Sequence, residues 1–192
     1  MAIITVAAII PLYNGDRFIR EALESVFSQS EPPDEIIVFD DGSTDDGVKI
    51  VEEISKTHPI VLLRKANGGQ SSARNLAAEN CRSSHIALLD QDDSWYPEHL
   101  ALLKRPFDGA SPDDRLAVVY GNLDHVDANG LMVAHSCLDV FSSKHPKTTL
   151  EQCIGQDMFV LPGASLVDRK AFFEAGRFDE RLSGYEDDDL FL

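Results

Sequence analysis

The stretch EIIVFDDGS, residues 35–43, places a short apolar run directly before two acids and a glycine. The run is too short for a helix and is rich in β-branched residues, which predicts a buried strand. Similar runs recur along the first half of the chain, and strands are predicted at 3–10, 35–39, 60–63 and 85–89. Helical patterns separate them, and this alternation predicts a parallel sheet with helices on both faces.

Helices are predicted from the spacing of apolar residues and from start signals. They occupy 18–27, 48–54, 70–80 and 97 to about 107. Ser43 and Asp46 are spaced like a capping box for the second helix, and Pro97 suits the first turn of the fourth.

The second half of the chain has a different pattern. Short strands are predicted at 116–120, 123–126, 131–134 and 165–167, and helices at 148–153 and 169–175. Asn129-Gly130 predicts a hairpin turn. No repeat or low-complexity linker divides the chain. We therefore expect one domain over residues 1–192, with a nucleotide-type α/β half at 1–110 and a less regular half at 111–192 that carries a small β element.

Composition narrows the function classes. Hydrophobic residues make up 43% of the 192 residues, enough for a core, and 33 acids against 17 bases give a net charge of −16. Such a surface repels phosphate backbones, which argues against nucleic-acid binding. No apolar run is long enough to span a membrane. Three scattered cysteines favour a reducing, cytoplasmic compartment. The sequence leaves open whether the protein contacts the inner membrane face peripherally and whether it forms a homodimer.

An unusual loop follows each of the four predicted strands of the first half. The first loop is Pro11-Leu12-Tyr13-Asn14, the second Asp40-Asp41-Gly42-Ser43, the third Asn67-Gly68-Gly69-Gln70 and the fourth Asp90-Gln91-Asp92-Asp93. The carboxyl ends of parallel strands share one edge of a sheet, and ligands bind at that edge. We therefore expect the four loops to form one site.

The residue types in these loops suit one class of ligand. A base can stack on Tyr13, and Asp40 can accept a hydrogen bond from a base N–H. Arg74, just beyond the third loop, supplies a cation for a phosphate. Asp92 can hold Mg²⁺ or Mn²⁺ while phosphate oxygens fill other positions of the ion. The loops together predict a nucleoside diphosphate site that needs a divalent ion.

Each loop has a purely structural explanation when it is taken alone. The second loop is compatible with a turn and helix cap, the third with a loop that needs positive φ, and Tyr13 with a half-buried aromatic. The fourth loop favours a cation even in isolation, because its three carboxylates repel one another. The acids at 186–189 are compatible either with the first turn of a helix or with a general base.

Six motifs in order, from about Val6 to Leu192, resemble the inverting family-2 glycosyltransferases with the GT-A fold, a Rossmann-like and mostly parallel sheet flanked by helices. The motifs lie at residues 9–14, 35–45, 67–75, 86–93, 176–180 and 186–190. Leu12 departs from the small or hydroxyl residue that the family often has there. Family members also extend further, so the chain resembles a catalytic core without its C-terminal continuation.

The resemblance implies a role for individual residues. Nucleotide binding falls to Pro11, Tyr13, Asn14, Asp40, Asp41, Asn67, Gly69, Arg74 and Asp90. Asp92 and Asp93 are implied as ligands of Mg²⁺ or Mn²⁺, and Asp187 as the catalytic base. Gly163 and Glu186 are implied on the acceptor side, in the half at 111–192.

The implied activity is the metal-dependent, inverting transfer of a sugar from a nucleoside-diphosphate sugar, with uracil favoured as the base. The implied acceptor is a hydroxyl of a sugar or lipid-linked molecule in polysaccharide, cell-wall or glycolipid synthesis. A phosphoacceptor receiver module is disfavoured, because no lysine follows the strand at 116–120. A nucleotidyltransferase acting on sugar phosphates would need a glycine-rich basic loop that 11–17 lacks. A sugar-nucleotide-binding module without activity stays open.

Overall fold

The computed structural model describes residues 3–141, 151, 161–182, 184 and 186–191. Within these residues the strands are β1 Val6–Leu12, β2 Glu35–Asp40, β3 Ile60–Arg64, β4 His85–Leu88, β5 Val118–Tyr120, β6 His125–Val126, β7 Met132–Ala134 and β8 Ser165–Asp168. Six of them form one sheet in the order β3-β2-β1-β4-β8-β5. β1 to β4 are mutually parallel, and β8 runs antiparallel to both β4 and β5. The predicted mostly parallel α/β fold is confirmed.

The described helices are α1 Ile19–Phe27, α2 Gly47–Ile54, α3 Gln70–Asn80, α4 His99–Gly109, α5 Cys137–Phe141, α6 Arg169–Glu174 and α7 Glu186–Phe191, with 3₁₀ turns at Pro112–Asp114 and Pro162–Ala164. The prediction for 70–80 matches α3 at both ends. None of these helices is long and apolar enough to cross a membrane.

The predicted capping box of α2 is wrong. The helix begins at Gly47, whose amide donates to Asp45 Oδ1 at 3.0 Å. The Asp46 carboxylate instead contacts Lys49 Nζ at 2.6 Å. The Ser43 hydroxyl accepts a hydrogen bond from the backbone N–H of Asn14 at 3.0 Å. The hydroxyl thus joins two loops rather than capping a helix.

The core lies on both faces of the sheet because the side chains of β1 alternate between them. Ile10 and Leu12 pack on one face with α1, α2 and α4, while Ile9 packs on the other face with α3 and α6. All three side chains are fully buried. Two buried faces explain why β1 is a continuous apolar run rather than an alternating one.

Pro11 lies inside β1, where proline is usually excluded because it cannot donate to the ladder. Ile9 accepts from the Leu89 amide at 3.0 Å, so alternate residues from Ile9 onward face β4. β4 makes its last pair at Leu88, opposite Ile9. Pro11 therefore faces the side where the neighbouring strand has already ended, and β1 extends to Leu12 by pairing with β2 alone.

The second half is less regular, as predicted. β6 and β7 form a separate two-stranded hairpin, and Gly130 in its turn has a φ of +79°. β5 begins two residues later than predicted, at Val118. The predicted helix at 148–153 falls outside the described residues apart from Glu151. The boundary at residue 110 stays a prediction.

Candidate active site

A cavity of about 570 Å³ opens at the carboxyl edge of β1 to β4. It is lined by Pro11, Leu12, Tyr13, Asp41, Asn67, Gly69, Gln70, Ala73, Asp90, Gln91 and Asp92. Each of the four loops contributes at least one of these residues. The structure thus confirms that the loops converge, as the parallel arrangement requires.

The backbone of the first loop is held from two sides. The Tyr13 amide donates to Gln91 Oε1 at 2.8 Å, and Gln91 Nε2 donates to the Tyr13 carbonyl at 3.1 Å. On the other side, Asn14 Oδ1 accepts from the Thr44 amide at 2.8 Å. Asn14 adopts a φ of +49°, which asparagine tolerates better than most residues. Tyr13 itself is 48% exposed, so its backbone is fixed while its ring remains available to a ligand.

Asp40 does not line the cavity. It is 1% exposed, and its carboxylate accepts from the Ser43 amide at 3.0 Å and from Arg64 Nε at 3.2 Å. Both carboxylate oxygens therefore have partners within the protein. Recognition of a base by Asp40 stays a prediction.

Asp41 lines the cavity and organises the third loop. Its carboxylate accepts from the Gly68 amide at 2.9 Å and the Gly69 amide at 2.8 Å, and it forms an ion pair with Lys65. Hydrogen bonds to a carboxylate are stronger than those between neutral groups. This side chain therefore fixes the course of the glycine-rich loop beside the cavity.

Arg74 projects from α3 into the protein and does not line the cavity. It is 3% exposed, with Nη2 at 2.6 Å from Asp90 Oδ1 and Nη1 at 3.8 Å from Glu186 Oε1. Its guanidinium carbon lies 5.3 Å from the centre of the Phe178 ring. The structure thus places Arg74 between two carboxylates, and its predicted contact with a phosphate is not tested.

The acids of the fourth loop divide between two places. Asp90 and Asp92 line the cavity, whereas Asp93 lies near Gly163, where an added Cβ would be 3.3 Å from Asp93 Oδ2. Desolvation, ahead of the charges of Asp90 and Asp92, raises the pKa of Asp93 to about 6. The charges of Asp90 and Asp92 repel the Asp93 carboxylate, and a bound cation would relieve this repulsion.

The donor set fits a hard divalent cation. Carboxylate oxygens are the ligands that Mg²⁺ prefers, usually one or two from protein with the remainder from phosphate and water. In the part of the chain that the structure describes, His, Cys, Asp and Glu side chains form no group of three or more that could hold a metal alone. Of the two predicted ligands, Asp92 lines the cavity and Asp93 does not, so a joint role of both in holding a metal stays a prediction.

α7 brings the second acidic motif towards this region. Glu186 accepts from the Gly184 amide at 2.8 Å and faces Arg74, and Asp187 is half-buried in the first turn of α7. Gly163 accepts a hydrogen bond from Trp95 Nε1 at 2.9 Å. That bond ties the 3₁₀ turn at Pro162–Ala164 to the segment after the fourth loop.

Four residues that line the cavity were not predicted as site residues, namely Leu12, Gln70, Ala73 and Gln91. The two glutamines among them make polar contacts there. Gln70 donates from Nε2 to Asp90 Oδ1 at 2.8 Å, and Gln91 pairs with Tyr13. Gln70 lies between Gly69 and Ser71, and Gln91 lies between two acids. Neither neutral side chain carries a charge pattern that would single it out. Their roles depend on contacts between segments far apart in the chain.

Comparison with known proteins gives one family. The family model described as "Glycosyl transferase family 2" matches residues 7–176. A curated relative named chondroitin synthase, from Escherichia coli, is 30% identical over 188 residues, which cover 97% of this chain and 26% of that protein. The chain spans about a quarter to a third of the length of curated relatives such as this one.

Solved structures show the same fold. Residues 1–349 of TarS from S. aureus, in complex with UDP, match with a TM-score of 0.74 at 24% identity, over 96% of this chain and 53% of that one. The mannosyltransferase PcManGT from Pyrobaculum calidifontis, in complex with GDP-Man and Mn²⁺, matches with a TM-score of 0.69 at 19% identity, over 95% and 49%. At these identities the likeness concerns the fold.

Proposed function

The chain belongs to glycosyltransferase family 2, and on that premise we propose that it transfers a sugar from a nucleoside-diphosphate sugar to an acceptor hydroxyl. The observation that carries the proposal is the cavity where the Tyr13 ring and the carboxylates of the second and fourth loops meet. An aromatic face suits a nucleoside base. Carboxylates beside it suit a diphosphate that arrives with a divalent cation.

The favoured donor is a UDP-sugar. Its base would stack on Tyr13, whose ring is exposed at the cavity while Gln91 and Thr44 hold the loop around it. Among proteins of the same fold, TarS has been solved with UDP and PcManGT with GDP-Man. A guanine nucleotide is therefore the alternative that a binding experiment must include.

The metal would be Mg²⁺ or Mn²⁺, held by Asp92 with Asp93 behind it. When bound, the ion supplies positive charge that stabilises the departing diphosphate. Asp90 would approach the ribose or sugar, since Gln70 and Arg74 fix its carboxylate at the cavity wall. These residues bind and orient the donor before the reaction.

The reaction would be a single displacement. Asp187 accepts the proton of the acceptor hydroxyl, and the hydroxyl oxygen forms a bond to the anomeric carbon of the donor. The bond between that carbon and the diphosphate oxygen breaks, and its electron pair leaves with the nucleoside diphosphate. Attack from the face opposite the leaving group inverts the configuration. Gly163 and Glu186 would border the acceptor.

The acceptor class follows from the relatives rather than from the cavity. The E. coli relative is named a chondroitin synthase, which supports a sugar acceptor in polysaccharide synthesis; a lipid-linked acceptor in cell-wall or glycolipid synthesis is the other form of the proposal. The free thiols of Cys81 and Cys137 support a reducing, cytoplasmic location.

Calorimetry with nucleoside diphosphates tests the donor half of the proposal. We expect UDP to bind with Mn²⁺ and only weakly without it, and Asp92→Asn to weaken binding by at least about tenfold, the effect of disturbing even a second layer around a metal. Asp113→Asn, an exposed acid in the 3₁₀ turn at Pro112–Asp114, is the matched control. UDP binding that depends neither on Mn²⁺ nor on Asp92 would refute the proposal. Tighter binding of GDP than of UDP would change only the base.

A further inference from the structure

Gln91 makes a paired contact that the proposed reaction does not explain. Its carboxamide presents an acceptor and a donor side by side, and Tyr13 offers the matching amide and carbonyl. The two bonds measure 2.8 Å and 3.1 Å. The side chain thus takes the place of a neighbouring strand next to the first loop.

The chain leaves space for this contact at Gly15. A Cβ at that position would overlap Gln91 Oε1, and it would lie 2.5 Å from Gln91 Cδ and 3.0 Å from Leu12 Cδ1. Gly15 does not have a positive φ, so another residue could adopt its backbone conformation. The glycine is needed because any side chain there would displace the Gln91 carboxamide.

Gln91 also lies between the two acids that line the cavity. Asp90 precedes it and Asp92 follows it, and the first loop is tied on its opposite side to Thr44 through Asn14. One side chain therefore connects the loop bearing the aromatic ring to the loop bearing the acids. Such a connection fixes the distance between the two parts of the cavity.

We propose that Gln91 is a positioning residue that holds the Tyr13 loop at a set distance from Asp90 and Asp92, so that the base and the diphosphate of one nucleotide are bound together. The inference rests on the proposed function. Preorganisation of this kind raises affinity, because the loop does not have to be ordered when the ligand binds. A ligand that lacks the base gains nothing from it.

Two substitutions remove the contact by independent routes. Gln91→Ala deletes the carboxamide. Gly15→Ala pushes the carboxamide away, and the protein should stay folded because the carboxamide is the flexible end of a side chain and can move. Their controls are Asn80→Ala, which deletes a comparable bond from Nδ2 to the Leu76 carbonyl at the far end of α3, and Gly109→Ala, where an added Cβ meets nothing within 4 Å.

Two measurements on the whole chain are combined. We expect hydrogen exchange of the Tyr13 amide, in the ligand-free protein, to accelerate in Gln91→Ala and Gly15→Ala but in neither control. With Mn²⁺ present, both variants should bind UDP about tenfold more weakly, the effect of losing one to two hydrogen bonds. Binding of inorganic pyrophosphate should be unchanged, and the double variant should bind UDP no more weakly than either single one.

The outcomes separate this inference from the proposed function. If the parent chain binds UDP but the Tyr13 amide exchanges at the same rate in all variants, the contact does not hold the loop and the inference fails alone. It also fails alone if exchange accelerates while UDP affinity is unchanged, or if pyrophosphate binding weakens equally. If the parent chain binds no nucleoside diphosphate with Mn²⁺, the proposed function fails and the inference fails with it.

Discussion

Arg74 Nη2 lies 2.6 Å from Asp90 Oδ1, and the arginine side chain is 3% exposed while that of the aspartate is 28% exposed. The same guanidinium reaches Glu186 on α7 at 3.8 Å. One buried cation therefore joins the end of β4 to the helix that carries the predicted base. The proposed donor and acceptor sides are connected through this residue.

Arg74→Ala should destabilise the protein strongly. Removal of one partner of a buried ion pair leaves uncompensated charge, at a cost of about 3 kcal/mol or more, and here two carboxylates would lose their cation. Urea unfolding followed by circular dichroism measures the change. Arg181→Ala is the control, because its pair with Asp179 is 89% exposed on the arginine side and such pairs contribute little. Equal effects of the two substitutions would contradict the structural role of Arg74.

Patterns of hydrophobicity predicted the sheet well. The limits of β2 and α3 were predicted to within one residue, because an apolar run bounded by acids, and a helix bounded by loop residues, are local signals. β1 was predicted at 3–10 and lies at Val6–Leu12. Its far end depends on Pro11 facing a side where β4 has already stopped, which is a property of the neighbouring strand rather than of the segment.

Side-chain partners were harder to predict than elements. Ser43 looked like a helix cap by its spacing but contacts Asn14, 29 positions away in the chain. Arg74 was predicted from its residue type to contact a phosphate, and that contact stays a prediction. Its partners within the protein, Asp90 and Glu186, were not predicted. A charge in the sequence indicates that a partner exists, but only the tertiary arrangement selects it.

Gly42→Ala should lower the stability of the protein more than an ordinary glycine substitution does. Gly42 has a φ of +83°, and an added Cβ would lie 2.9 Å from the Asn67 backbone nitrogen. The left-handed conformation alone costs about 1–2 kcal/mol, and the contact with backbone adds to it. Gly130→Ala separates the two effects, since Gly130 has a similar φ of +79° with nothing within 4 Å. The midpoint of thermal unfolding should be lower for Gly42→Ala than for Gly130→Ala. The reverse order would contradict the close approach of the second and third loops.

Asp187→Asn should abolish sugar transfer while leaving UDP binding intact. An amide cannot accept the acceptor proton, and loss of a general base lowers rates by about 10²–10⁴-fold. The transfer rate is measured at saturating donor, and UDP binding is measured by calorimetry. Asp189→Asn, an exposed acid two positions along α7, should retain the rate. Full activity in Asp187→Asn would move the base elsewhere, and loss in both variants would indicate disruption of the helix.

His99→Phe should make the protein more resistant to mild acid. Burial lowers the pKa of His99 from 6.5 to about 4. Its Nε2 has no hydrogen-bond partner among the described residues, and its ring stacks on Trp95 at 4.9 Å. The folded state therefore keeps this histidine neutral between pH 6.5 and 4, while the unfolded chain takes up a proton. The free energy of unfolding consequently falls as the pH falls through that window, by up to about 3 kcal/mol from this group.

Phenylalanine keeps the stacking and removes the titration. Denaturant unfolding of both proteins at pH 7, 5.5 and 4 should thus give a difference that grows in favour of His99→Phe as the pH decreases. His85, whose pKa burial also lowers, is present in both proteins and cancels in the comparison. His125→Phe, which removes a histidine from an exposed position on β6, controls for the loss of a histidine as such. A difference that stays constant from pH 7 to 4 would show that His99 takes up its proton equally in the folded and unfolded chains.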